Sequence, residues 1–391
     1  MRILLVSFAL LANHGGILQC YALQEVLKGM GHKVVKAEVK PNFRFTIHQV
    51  LAIVKRFLVR TFITKNSIPV FYERQLDRPR NTICQNTDKF IKRYLRMVRV
   101  NSLSELKGFH YDAVIVGSDQ VWRRPYAKYD KLLTFNSAAD NAFLAFTHGW
   151  NCKRIAYSAS IGVDYWEYTE EETQVLKELI RKFDAISVRE DSGINLIHEH
   201  LGADLQVEHL LDPTLLLDKY EYIKLFKKTK TKRSEGDLLV YVLDPSDEKK
   251  RIVDYYVKKL NKKPFLVNNP NYENRNLSPE ERIQTPIETW LRGFYDADYV
   301  VADSFHACVF SIIFEKPFTV IVNEQRGVAR IDSLLHQFGL EDRVVRSMED
   351  VEKVPLAIDW TIVREKKKKF ASKSRQWLVE ALECKRKKWI H

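Results

Sequence analysis

Short continuous apolar runs recur along the chain. Between them lie stretches whose apolar positions fall three and four residues apart. In the first part the runs are Ile3–Phe8, Val34–Val39, Ala113–Val116, Ile155–Ala159, Ala185–Val188 and Leu205–Leu211. In the second they are Leu238–Leu243, Pro264–Val267, Tyr299–Ala302 and Phe318–Val322. Runs without polar alternation suit strands buried on both faces, as in a parallel sheet. The intervening pattern predicts helices, for example over Ile17–Lys28, around Val309, Ile312 and Ile313, and around Leu334, Leu335 and Phe338. Strand and helix in alternation predict the α/β class.

The chain has 391 residues, more than the ~250–300 that one core supports, so two domains are expected. The predicted boundary is Lys227–Gly236, which is charged, lacks an apolar anchor and ends in glycine. The expected organisation is two Rossmann-like domains, 1–232 and 233–362, facing a central cleft, followed by a basic helix over 363–391. Ligands of such sheets bind beyond the carboxyl ends of the strands. The apolar start, Ile3–Ala12, has some look of a signal-peptide core. Asn13-His14-Gly15-Gly16 is a poor cleavage region, so the reading is strand, glycine turn, helix.

Composition is ordinary for a globular protein, with 45% hydrophobic and 29% charged residues. That excludes disordered and fibrous classes. Net charge is +13, which suggests an anionic partner. Residues 51–100 carry +9 and 364–391 carry +8, so the rest of the chain holds −4. The surplus therefore falls on a basic helical insertion and a C-terminal helix, both read as appendages. Their basic blocks lack regular aromatic interleaving, which argues against nucleic acid. Leu51–Thr64, with Lys55, Arg56 and Arg60, has the basic amphipathic character of a lipid-docking helix. A solvated helix packed on the first domain would look the same. Docking of the basic segments at the inner membrane face is one of these two readings, and the sequence does not choose between them. The five cysteines are odd in number and scattered, as expected of reduced thiols in a cytoplasmic protein. No pair of them has metal-ligand or redox spacing.

Polar clusters stand at the ends of several runs. Asn13, Gly15 and Gly16 form a turn into a helix, where backbone can approach an anion. The pattern lacks the dinucleotide fingerprint, and a plain tight turn fits it equally. Ser118, Asp119 and Gln120 follow the third run, either as site residues or as helix caps. Arg189 ends the run through Val188, placed to grip a carboxylate or phosphate or to form a surface pair. Asp303, Ser304 and His306 stand between a buried strand and an apolar helix, where a histidine can move protons and a helix N-terminus can hold phosphate. Asp303 and His306 are the expected catalytic residues. Arg330 opens the next helix and is a second expected anion clamp, with Arg326 nearby.

Several stretches together resemble the polysaccharide pyruvyl transferase family over most of the chain. They are Gly15-Gly16 with Leu18-Gln19 and Tyr21–Gln24, Val116–Trp122, Ile186–Glu190, Leu211-Asp212-Pro213-Thr214, Asp303-Ser304-Phe305-His306 and Arg330-Ile331-Asp332. The resemblance implies the two-domain architecture of GT-B glycosyltransferases, with the active site between the halves. It implies transfer of a pyruvyl group from phosphoenolpyruvate to a sugar of a surface polysaccharide, such as capsule or exopolysaccharide, or of its lipid-linked precursor. The product would be a cyclic ketal, and the resemblance implies neither a metal nor a bound organic cofactor. His306 matches the family's catalytic histidine and Arg189 its donor-binding arginine. Members often carry an arginine two residues before that histidine, where this chain has Ser304. Two other readings stay open, a glycosyltransferase using a nucleotide sugar in the same architecture and a non-catalytic binder that exploits the charge.

Overall fold

The computed structural model describes residues 1–39, 77–127 and 140–384. The first half is a parallel sheet of β1 (Arg2–Val6), β2 (Lys33–Val39), β3 (Met97–Val100), β4 (Ala113–Gly117), β5 (Lys153–Ala159), β6 (Ala185–Val188) and β7 (Val207–His209). Their spatial order is β3-β2-β1-β4-β5-β6-β7. The second half is another parallel sheet, of β8 (Leu238–Tyr241), β9 (Pro264–Phe265), β10 (Tyr299–Ala302), β11 (Phe318–Ile321) and β12 (Val344–Val345), in the order β12-β11-β10-β8-β9. The central strands β1, β4 and β10 are buried on both faces, which accounts for their unbroken apolar runs. Strand order reverses between β1 and β4 in one sheet and between β8 and β10 in the other. Such reversals splay neighbouring loops apart and leave a crevice at the carboxyl ends. These are two Rossmann-like domains in an α/β fold.

The connecting helices are α1 (His14–Gly29), α2 (Gln85–Tyr94), α3 (Glu170–Ile180), α4 (Ser192–His200), α5 (Lys219–Lys228), α6 (Asp247–Leu260), α7 (Ile287–Asp296), α8 (Phe305–Phe314) and α9 (Ala329–Phe338). A last helix, α10 (Trp360–Glu383), follows β12. No helix among the described residues is long and apolar enough to cross a membrane.

Two expectations about the basic segments need correction. The stretch 51–100 is not wholly a helical insertion, because Met97–Val100 is edge strand β3, in register with Lys36–Val39 of β2. Arg99 within it pairs with Glu38 at 2.6 Å. A charged side chain on an edge strand interrupts the apolar run that marks inner strands. Leu51–Thr64 lies outside the described residues. The C-terminal helix is not an appendage either. Leu378, Ala381 and Leu382 of α10 are buried. Phe370 packs edge-on against Phe338 of α9, while Trp377 packs against Tyr157 of β5. Arg364 pairs with Glu315 at 2.8 Å on one half and Lys373 with Glu208 at 2.7 Å on the other. The helix thus starts on the second half and ends on the first, and part of its charge is spent on these pairs. The sequence shows Trp377, Leu378 and Leu382 within this basic helix, but not the surface that they pack against.

Leu378 is fully buried. Leu378→Ala is therefore expected to lower unfolding free energy by about 2–5 kcal/mol in a denaturant titration. Equal midpoints for variant and wild type would return α10 to the status of an appendage.

Candidate active site

The two crevices face each other across a cavity of about 840 Å³. The first half contributes the β1–α1 loop with Asp119 and Gln120; the second contributes Ser304, Phe305 and His306 after β10, and Arg326 and Arg330 after β11. Every one of these residues follows the carboxyl end of a strand.

Helix α1 opens with Asn13 as its cap, whose side-chain oxygen accepts from the Gly16 amide at 3.2 Å. Gly15 in the first turn lies directly against His306 of the other half. A Cβ at Gly15 would stand 2.2 Å from His306 Nδ1. Glycine is needed there for close approach between the halves. Gly16 faces Asp119, whose Oδ2 would be 3.3 Å from an added Cβ. Asp119 itself holds a left-handed backbone, φ 76°, a conformation aspartate tolerates better than most side chains.

Asp212, just past β7, ties the site together. One carboxylate oxygen accepts from Arg189 Nη1 at 2.8 Å, Gln19 Nε2 at 2.6 Å and Ser118 Oγ at 3.1 Å. The other accepts from the Thr214 amide at 3.0 Å and hydroxyl at 2.6 Å. His306 Nε2 of the second half stands 3.8 Å from it, an electrostatic neighbour beyond hydrogen-bond reach. Burial alone would raise the Asp212 pKa, but His306, Arg189 and Thr214 more than offset that and hold it at about 2. It is a permanent anion at neutral pH.

The groups around it, Arg189, Arg330 and His306, are buried. Arg189 is buried, yet its Nε and Nη2 have no hydrogen-bond partner among the described residues, and neither has His306 Nε2. Orphaned buried donors of this kind cost stability unless a ligand supplies the acceptor. Both guanidiniums lie over the Phe305 ring, Arg189 at 4.4 Å and Arg330 at 5.5 Å from its centroid. Burial and the charge of Arg189 bring the Arg330 pKa down to about 10, which leaves it charged at neutral pH. The two arginines come from opposite halves, and a bond from the Asp191 amide to Ser333 Oγ of α9 (3.1 Å) helps hold them together. Burial also pulls the His306 pKa to about 4, against the pull of Asp212 and Asp119. Its imidazole is neutral at neutral pH.

Other expected site residues have different surroundings. Asp303 is fully buried and turns away from His306. It accepts from the amides of Leu243 and Asp244 at 2.7 and 3.2 Å, from Lys249 Nζ at 2.7 Å and from Asn323 at 3.1 Å. It anchors the loop after β8, and the catalytic role expected for it has no supporting contact. Ser304 is the N-cap of α8 but makes no side-chain cap bond, and it lines the cavity. Ser118 sits behind the cavity, on Asp212. Gln120 accepts from Arg123 at 3.1 Å and lies where Gly162 and Gly327 of opposite halves meet. An added Cβ on Gly327, at φ 82°, would stand 2.2 Å from the Gly162 carbonyl. Arg326 is held in a fork by Asp244 at 2.5 and 2.8 Å. The residue missed from the expected site is Asp212. Its signal was present, since it is a lone carboxylate directly after a buried run.

In a free helix, Gly15→Ala would be favourable by up to ~1 kcal/mol. Here it is expected to displace His306 and lower turnover by about a hundredfold, with a folded protein by circular dichroism; unchanged kinetics would contradict the packing. His14 is likewise lowered to about 4 by burial. Both histidines bind a proton more readily when unfolded, from the ordinary 6.5 downward. Stability is therefore expected to fall as pH drops from about 6.5 to 4, before Asp212 protonates. His306→Gln should flatten part of that slope in melting temperature against pH.

Comparisons with known proteins follow the same lines. No curated protein matches the sequence. Among solved structures, UGT89C1 of Arabidopsis thaliana complexed with UDP-L-rhamnose aligns at 8% identity and a TM-score of 0.49, covering 97% of this chain and 98% of that one. UDP-GlcNAc 2-epimerase from Neisseria meningitidis aligns at 12% identity and 0.47, covering 98% and 99%. The enzyme of that name from Methanocaldococcus jannaschii aligns at 9% and 0.48, covering 99% and 94%. Likeness at this level says nothing about the site, and the fold rests on the strand orders above. The sequence model of polysaccharide pyruvyl transferases, however, matches residues 13–325. With most of the chain inside that match, Arg189 and His306 included, this protein belongs to the polysaccharide pyruvyl transferase family and is a transferase.

Proposed function

We propose that the protein transfers a pyruvyl group from phosphoenolpyruvate to two hydroxyls of a sugar, in a surface polysaccharide or its lipid-linked precursor. The observation that carries this reading is the buried corner where Arg189, Arg330 and His306 meet. Arg189 Nε and Nη2 and His306 Nε2 lack hydrogen-bond partners there among the described residues, while Arg330 donates to the Gly327 and Arg326 carbonyls. Phosphoenolpyruvate brings both a carboxylate and a phosphate, and guanidinium forks suit each. The departing phosphate is the charge these groups must stabilise.

The chemistry divides as follows. A proton adds to the methylene carbon of the donor, and positive charge develops on the carbon bearing phosphate. One sugar hydroxyl attacks that carbon and loses its proton. The C–O bond to phosphate then breaks, and the second hydroxyl closes the ketal with loss of its own proton. Donor and diol become ketal and inorganic phosphate. His306 is the general acid in this reading, and it must first become charged. It faces Asp212 and Asp119, which favour the imidazolium, and Arg189 and Arg330, which oppose it. A bound trianion would neutralise the two arginines and let the carboxylates prevail. Donor binding and protonation of His306 are thus coupled. Ser304 leaves the second guanidinium to Arg330, on a different helix. Docking of the basic segments, Leu51–Thr64 among them, on anionic lipid would keep the enzyme near its acceptor.

The direct test is acceptor-dependent release of phosphate from phosphoenolpyruvate across a panel of sugars. Absence of donor binding by calorimetry, or binding of a nucleotide sugar in its place, would overturn the reading. Calorimetry at pH 7 in buffers of different ionisation enthalpy is expected to show uptake of close to one proton with the donor. His306→Gln should bind the donor without that uptake and show no turnover.

A further inference from the structure

We propose that Ser374, on the C-terminal helix α10, is a positioning residue that fixes the Asp212 carboxylate and through it the setting of His306. Asp212 lies beyond β7, the edge strand of its sheet. The chain around it has no further strand to satisfy its backbone. Other groups do so instead. The Leu211 amide donates to Ser374 Oγ at 3.2 Å. The Leu211 carbonyl accepts from the Tyr157 hydroxyl at 3.0 Å. Side chains of α10 and β5 thus hold the backbone of this one residue at its amide and at its carbonyl. Ser374 is only 1% exposed, so water cannot take its place. The clamp is flanked by Lys373 on Glu208 and by Arg375 on the Leu216 carbonyl.

This clamp sits one residue before Asp212. Pro213 and the Thr214 bonds fix the chain on the other side. The carboxylate is thus held from both directions, 3.8 Å from His306 Nε2. Inside a dry site an electrostatic interaction is steep in distance, so sub-ångström drift changes how readily His306 takes a proton. The groups facing His306 are Asp212, Arg189, Asp119 and Arg330. Of these, Asp212 is the one whose backbone α10 clamps. The helix that sequence composition marks as a basic tail becomes part of the active-site frame.

The test uses the full ligand-free chain and an NMR titration of its histidines, with His306 assigned by its absence in H306Q. In S374A the His306 midpoint is expected to move down by about half a pH unit or more, because the Asp212 charge is less closely held. S374T keeps the oxygen and should titrate like wild type. Y157F removes the other side of the clamp and should shift in the same direction, which keeps the test open if S374A does not fold. An unmoved His306 midpoint in S374A, or in Y157F, overturns the proposal. So does an equal shift in S374T, which would indicate simple packing.

The kinetic arm rests on the pyruvyl-transfer reading. There S374A should lose about tenfold in kcat, with the KM for phosphoenolpyruvate within about twofold, and S374T should recover it. Loss in KM alone would overturn the positioning role. Wild-type protein without pyruvyl transfer would count against the proposed function, while the ligand-free titration would still decide the role of Ser374.

Discussion

The Asp212 carboxylate is the interaction on which the site depends. It is fully buried, and an isolated charge in that position would cost several kcal/mol. The chain meets that cost with donors from four separate segments: Gln19 on α1, Ser118 after β4, Arg189 after β6 and Thr214. Each donor stands at the carboxyl end of a strand or in the helix that follows one. The carboxylate therefore fixes how the strand ends of the first half sit relative to one another. His306 then approaches from the second half, and Gly15 leaves room for its ring. Removing the charge would leave Arg189 as a buried cation without its only carboxylate hydrogen bond among the described residues.

The same electrostatics explain why the site is poised. Two buried guanidiniums and a neutral imidazole are held together around Asp212, with Asp119 nearby. Desolvation works against every extra charge, so His306 is neutral at neutral pH. The unfilled N–H groups of Arg189 are a cost that the fold carries without a ligand. Phe305 shares its ring between both arginines, which limits where either can go. Recognition and acid chemistry are linked in such an arrangement, because the anion that satisfies the arginines also shifts the balance at His306. Asp303, by contrast, serves the loop after β8 and supports the second half of the cleft from behind.

Much of the fold was legible in the sequence, and for one reason. Strands buried on both faces must be apolar at successive positions, and β1, β4, β5, β6, β8, β10 and β11 all announce themselves in that way. The reading failed where strands were exposed or short. β3 carries charge on the sheet edge, and β12 is two residues long. The helix α10 was legible, with Trp377, Leu378 and Leu382 in it, but local pattern does not say what a helix packs on. Arg189 and His306 stand just past buried runs and Arg330 opens a helix, and the structure brings the three together. Asp303 satisfied the same rule and proved to face away, since position after a strand does not say which way a side chain turns.

The sequence by itself determined the α/β class, the order of the strands along the chain and the set of polar residues at their ends. These follow from local periodicity and from the family motifs. Only the tertiary structure decided which of those residues meet. Asp212 and His306 are far apart in the chain, and their 3.8 Å approach depends on two sheets facing each other with glycine between them. The protonation state of His306 is equally a property of the assembled site. Burial and the net field of four neighbouring charges set it, and neither exists until both halves and the C-terminal helix have closed around the cleft.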